Sequence, residues 1–232
     1  DPEHPGAPSL LTNKSAALRA RGVSRYNAAL KMPDEAAKKA GFDAAKKDWR
    51  DAFETSSKAV ESLKAAASSA PPDAAANIKT NLYFALLVRA ESAAFFVSKV
   101  DNSRAADGVK AYEEYIAAET DLTKKPKAQH ALAQMLFDAN EFDSALAEYQ
   151  KILTTNPDDL VALLRSGQAL FNIGAINNDK AKYQQAADYL AKYVDKAPDT
   201  DALKTDAQAI LETLKAQENV KPAAAPSRRR RP

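Results

Sequence analysis

Two hundred and thirty-two residues are enough to bury a substantial core in one extended or one to two compact domains. Hydrophobic residues make up 45%, but alanine dominates them and glycine supplies only 6, a balance that favours closely packed helices over strands or flexible linkers. The absence of cysteine excludes a disulfide framework and a thiolate metal site, and the net charge of +2 divides unevenly: the last 14 residues carry +5, while residues 1 to 218 hold 28 bases against 31 acids.

Residues 1 to 13 contain three prolines and no helical period, which predicts an extended N-terminal arm. The chain begins with Asp1 rather than Met, from which removal of a leader and export to the periplasm or beyond are expected. From Lys14 to Lys31 apolar residues recur at helical spacing (Ala17, Leu18, Val23, Tyr26, Leu30), with Gly22 as a close-packing point. Met32-Pro33-Asp34 reads as a stop followed by a start, residues 34 to 47 as a short extra helix, and Trp49 to Leu63 as a further helix. Ala70-Pro71-Pro72-Asp73 marks the next boundary, and the Pro-Asp pair returns at Pro157-Asp158 and Pro198-Asp199, where it supplies a stop for one helix and a cap for the next. Between lies a helical pattern from about Ala74 to Val100 that is apolar nearly all round, as in a helix buried on two sides. No membrane span is expected, because its most apolar part, Leu82 to Val100, carries Arg89 and Glu91 at its centre. Residues 104 to 121 form another amphipathic helix.

Residues 126 to 159 hold the clearest pattern. Two helical segments flank the turn Ala139-Asn140-Glu141, and Pro157 closes the unit. Leu132, Ala133, Leu136, Phe142, Ala145, Tyr149 and Ile152 fall where one helix crosses the other, with small residues at 133 and 145 letting the backbones approach. Ala111, Tyr115 and Ala118 lie 34 residues before Ala145, Tyr149 and Ile152, so the phase repeats. The next unit places Gly167 at the small position, Gly174 at the turn, then Tyr183, Ala186 and Pro198. It is seven residues longer, and the surplus fits at Ala175 to Ala181 as a lengthened turn. Residues 201 to 217 give a final amphipathic helix with one polar face, and residues 218 to 232 a basic Pro/Ala/Arg tail.

These residues resemble the tetratricopeptide repeat (TPR), a helix hairpin of 34 residues with a small residue in its first helix, an aromatic after the turn, Ala then an aromatic in the second, and Pro near the end. Trp49-x-x-Ala52 is similar to the opening of the second helix of such a repeat. The resemblance implies an all-α fold, a right-handed α-solenoid of TPR-like hairpins with a C-terminal capping helix. Its units would be about 14-70, 73-122, 126-157 and 160-198, capped by 201-217. It also implies a concave groove lined by Lys127, His130, Gln134, Phe137 and Asp138 in one unit and by Val161, Leu164, Gln168, Phe171 and Asn172 in the next. The Lys and Asn clamp of the chaperone-binding subgroup is missing. Phe137, Val161, Leu164 and Phe171 would instead offer a partly apolar groove for a helix or an extended segment, although packing against a neighbouring helix accounts for them equally.

Little in the chain carries catalysis. His4 sits near Asp1 and Glu3, and His130 has no acid or second His one turn away; phosphate-binding Gly-rich loops and hydrolase motifs are absent from the sequence. No cofactor, metal or small-molecule substrate is expected. Arg228, Arg229, Arg230 and Arg231 lack interleaved aromatics, so a solvated tail or docking on an acidic surface is favoured over nucleic acid. The sequence therefore predicts a non-enzymatic, exported TPR scaffold for protein partners, with a self-polymerising filament subunit held by its termini as the alternative.

Overall fold

A computed structural model describes residues 6–217, together with residues 220 and 222. Among them are nine α-helices and no strand: α1 (Ala7–Ala29), α2 (Glu35–Ser69), α3 (Pro72–Lys99), α4 (Ala105–Ala118), α5 (Lys124–Asp138), α6 (Phe142–Thr155), α7 (Leu160–Asn177), α8 (Lys180–Lys196) and α9 (Leu203–Gln217). The chain is thus all-α, and α1 to α4 and α6 to α9 pack in chain order, as in the TPR-like solenoid expected. It divides into two compact units, Asp1–Met135 and Leu136–Pro232.

The expected arm is helical from Ala7 onward. Pro8 lies in the first turn of α1, where a missing N–H costs nothing, so three prolines did not preclude a helix. Residues 1 to 5, including His4, and the basic run Arg228 to Arg231 lie outside the described residues. The short helix at 34 to 47 and the later one at Trp49 are a single helix of 35 residues, α2. Asp34 caps it by accepting from Ala37 N, and the pairs Lys39–Asp43 and Lys47–Asp51 bridge successive turns across the stretch where a break was expected. No helix begins at Trp49.

In the first unit α1 and α2 meet through small groups. Ser15 Oγ donates to Ala52 O at 2.6 Å, and a Cβ added to Gly22 would stand 2.5 Å from Trp49 Nε1. The Trp49 ring stacks on Phe95 of α3 at 5.0 Å, and Phe53 stacks on Phe96 at 4.9 Å, so α2 and α3 are joined by two parallel aromatic pairs. Beside them Asp48, 1% exposed, accepts from both Arg21 and Arg25. A buried carboxylate of this kind persists only with such partners. Only the second half of α3, from Ala85 to Val97, supplies buried residues.

In the second unit α6 to α9 enclose two apolar clusters, one around Leu170, Ile173, Ala187 and Leu214 and one around Leu163, Leu164, Leu190 and Tyr193. Asn140 and Asn178 both take left-handed backbone (φ 64° and 51°), a conformation Asn tolerates better than most side chains, and end α5 and α7. The longer repeat does not have a longer turn. Only residues 178 and 179 separate α7 from α8, and the surplus extends both helices, to 18 and 17 residues. Gly174 accordingly lies inside α7, where a Cβ would meet the Tyr183 ring at 2.7 Å. The Pro-Asp rule also needs correction. Asp159 rather than Asp158 caps α7, Asp201 rather than Asp199 accepts from Leu203 N at the start of α9, and α3 begins without a side-chain cap. Val220, placed in the tail by its surroundings in the sequence, is 4% exposed in the first cluster and donates its N–H to Leu214 O.

Candidate functional site

A cleft of about 210 Å³ opens in the first unit between α3, α4 and the start of α5. Leu87 and Ala90 of α3, Tyr112 and Tyr115 of α4, and Ala128 and Ala131 of α5 line its apolar part; Glu91, Lys124 and Lys127 are its charged members. The space exists because three of the facing side chains stop at Cβ. A cavity of about 150 Å³ with apolar walls already holds a benzene ring, so this one has room for one aliphatic or aromatic side chain.

The loop between α4 and α5 sets the position of the two lysines. Glu119, 4% exposed, accepts from Tyr83 Oη (2.6 Å), Tyr115 Oη (2.8 Å) and Asp121 N (2.8 Å). Asp121 in turn accepts from Thr123 N and Oγ1, and its carbonyl receives Lys124 N and Lys125 N, which starts α5. The phenol hydrogen bond from Tyr83, with the Asp121 amide and Tyr115 behind it, holds Glu119 down to a pKa of about 2. Burial pushes the Tyr112 phenol well up, and burial with the Glu119 contact does the same to Tyr115, so both rings stay neutral. Because the folded pKa of Glu119 is depressed from its usual 4.5, its stabilisation is present above that value and fades as pH falls toward 2. The melting temperature of Glu119→Gln should therefore approach that of the wild type between about pH 4.5 and pH 2. Parallel curves over that window would show that the carboxylate does not hold the loop.

Charge at the cleft is one-sided. Glu91 is paired with Arg19, Lys124 reaches Asp121 only at 3.9 Å, and Lys127 is exposed with no ion pair among the described residues. Nearby in sequence are two large exposed apolar residues, Phe84 (51%), three positions before Leu87 on α3, and Leu122 (84%), two before Lys124. Phe84 lies one turn before Leu87 on α3 and Leu122 lies in the loop that leads to Lys124, so both stand on the elements that build the cleft.

The groove positions taken from the repeat pattern are distributed differently. Lys127 lines the cleft, while His130 and Gln134 are half-buried on α5 outside it. In the second unit Leu164 is a core residue at 3% exposure, packed with Leu190 and Tyr193, so it cannot meet a partner. Phe137 is half-buried under the Arg165 guanidinium (4.9 Å) and against the edge of Phe142, and Phe171 leans on Tyr183 at 5.9 Å. Gln168 accepts from Arg165 Nη1 through its side chain and from Asn172 Nδ2 through its carbonyl; Asp138 is exposed and Val161 is 52% exposed. The expected apolar quartet therefore does not form one open strip. The pattern overlooked Leu87, Tyr112, Tyr115 and Lys124, although Leu122, apolar and just before the lysine-rich start of α5, was a visible signal.

Residues 126–169 match the family model of the tetratricopeptide repeat. The match takes in most of α5, all of α6 and the first half of α7, and its first residues include Lys127, Ala128 and Ala131 of the cleft. No curated protein and no solved structure matches the chain significantly. The chain thus carries a TPR repeat, in a family that typically serves protein–protein interaction without catalysis. No helix among the described residues is long and apolar enough to cross a membrane.

Proposed function

We propose that this protein is a non-enzymatic scaffold that binds protein partners, and that the first-unit cleft receives an apolar side chain from the partner. The observation that carries this reading is the combination of a side-chain-sized apolar cleft, two lysines at its edge, and the exposed Phe84 and Leu122. Hot spots of protein interfaces have this anatomy, an anchor in a desolvated pocket with polar groups around it. A photo-cross-linking amino acid at Leu122 should give protein adducts that Ala131→Phe, which fills the cleft, suppresses. The same group at Ile176, exposed in the second unit, should give none that depend on Ala131. If Ala131→Phe folds normally by circular dichroism and the Leu122 adducts persist, the cleft is not the binding site.

A further inference from the structure

We propose that the partner at this cleft is a second copy of the same chain, which inserts Leu203 and sets the acidic end of its second unit against Lys124 and Lys127. This inference rests on the cleft being a protein-binding site, as argued above, and adds the identity of its occupant.

Charge supports the pairing at two scales. Residues 6 to 135 hold 20 bases against 15 acids, whereas residues 136 to 217 hold 8 bases against 13 acids. The helical parts of the two units are oppositely charged by equal amounts. The local pattern is sharper. The turn that enters α9, Pro198-Asp199-Thr200-Asp201-Ala202-Leu203, presents Leu203 at 46% exposure at the first position of the helix. Lys196 at the end of α8 pairs with Asp158 at the entry to α7, which brings both entry turns to one end of the unit. That end gathers Asp158, Asp159, Asp195, Asp199, Asp201 and Asp206 against Lys196 and Lys204, and so keeps an excess of acid.

Leu203 is 46% exposed and is named in neither of the two buried clusters described in the second unit, so a large part of its side chain is open to a neighbour. An aliphatic side chain suits the cleft walls of Leu87, Ala90, Ala128 and Ala131, and the flanking aspartates meet the two lysines. Complementary fields of this kind raise encounter rates and fix register. The contact uses different surfaces on the two copies. It is heterologous, and each copy keeps one unused cleft and one unused acidic end, so assembly continues into open chains or closes as a ring.

Sedimentation velocity on the full chain tests this directly. The wild type should form species larger than a monomer at about 50 mM salt and revert to monomer at about 1 M, where the screening length falls to roughly 3 Å. Leu203→Asp, Lys124→Glu with Lys127→Glu, and Asp199→Lys with Asp206→Lys should each be monomeric at low salt. Mixing the last two should restore large species, because each reversed cleft then meets a reversed end. A wild type that stays monomeric at low salt and high concentration, or Leu203→Asp and the two charge variants that assemble like the wild type, would overturn the proposal. Species that disappear on deletion of residues 223 to 232 alone would do so too, since the basic tail would then be the occupant. If purified protein is monomeric while Leu122 still cross-links another protein in an Ala131-dependent way, the scaffold reading stands and only the second copy is excluded.

Discussion

Replacing Trp49 with alanine should lower the free energy of unfolding by about 3 to 5 kcal/mol, the range for deleting a large aromatic from a core that cannot collapse around the loss. Three elements depend on this indole. It is 2% exposed, stacks on Phe95 of α3, touches the Tyr26 ring of α1 at 5.6 Å and fills the space left by Gly22. No acceptor is bonded to Nε1 among the described residues, so alanine removes packing without breaking a hydrogen bond. Trp49→Phe deletes the same unpartnered N–H yet keeps a ring against Phe95, and should cost markedly less than alanine. Since Trp49 is the single tryptophan, the comparison needs urea melts followed by circular dichroism rather than fluorescence. A loss for Trp49→Ala below about 1 kcal/mol would mean that α1, α2 and α3 do not close on this ring.

Local chemistry made much of the fold legible. Proline and aspartate mark helix boundaries by what they do to the backbone, and the turn at Ala139-Asn140-Glu141 is readable from the two amphipathic segments that flank it, with Asn140 supplying the positive φ. The same signal was present at Asn178. There the seven surplus residues were assigned to the turn, because period alone cannot distinguish a longer loop from two longer helices. Gly174 reads as a turn residue for a related reason. Glycine marks a turn or a close contact, and only the position of Tyr183 settles which.

The cleft was less legible, since it joins residues 87, 112 and 127, which no local pattern connects. Lys127 was found because it falls on a repeat position; Lys124 precedes the repeat, and the α3 residues lie where the resemblance is loose. Leu164 was assigned to the groove by register, but in α7 its position faces Leu190 and Tyr193 and is buried. Asp48 shows the opposite limit. One acid among six in an Ala- and Lys-rich helix reads as solvated like the rest until Arg21 and Arg25 are brought to it from another helix. Val220 is similar, the one valine in a proline- and arginine-rich stretch that tertiary packing turns into core.

The second large effect is expected at Gly167 and Leu190, where α7 and α8 leave no room for a further side-chain carbon. A Cβ on Gly167 would stand 2.6 Å from Leu190 Cγ, 2.8 Å from Cδ2 and 3.3 Å from Ala186 O. Leu190 is fully buried among Leu163, Leu164 and Tyr193, so shifting it disturbs packed neighbours, and the Ala186 carbonyl is backbone. Gly167→Val should therefore cost about 1 to 3 kcal/mol or somewhat more by overpacking, despite valine being the more hydrophobic residue. Leu190→Ala alone should cost about 2 to 5 kcal/mol by leaving a cavity. Combined, the two changes oppose each other: the new side chain occupies part of the hole, and the double variant should be more stable than the sum of the single losses predicts by at least about 1 kcal/mol. Strict additivity in denaturant melts would mean that the two residues do not touch. Ala133, which precedes Gly167 by 34 residues at the same phase, is also fully buried but tolerates its methyl group. The two repeat units thus differ at this position by one carbon, and the energetic cost of adding it at 167 measures how tightly α7 and α8 are packed there.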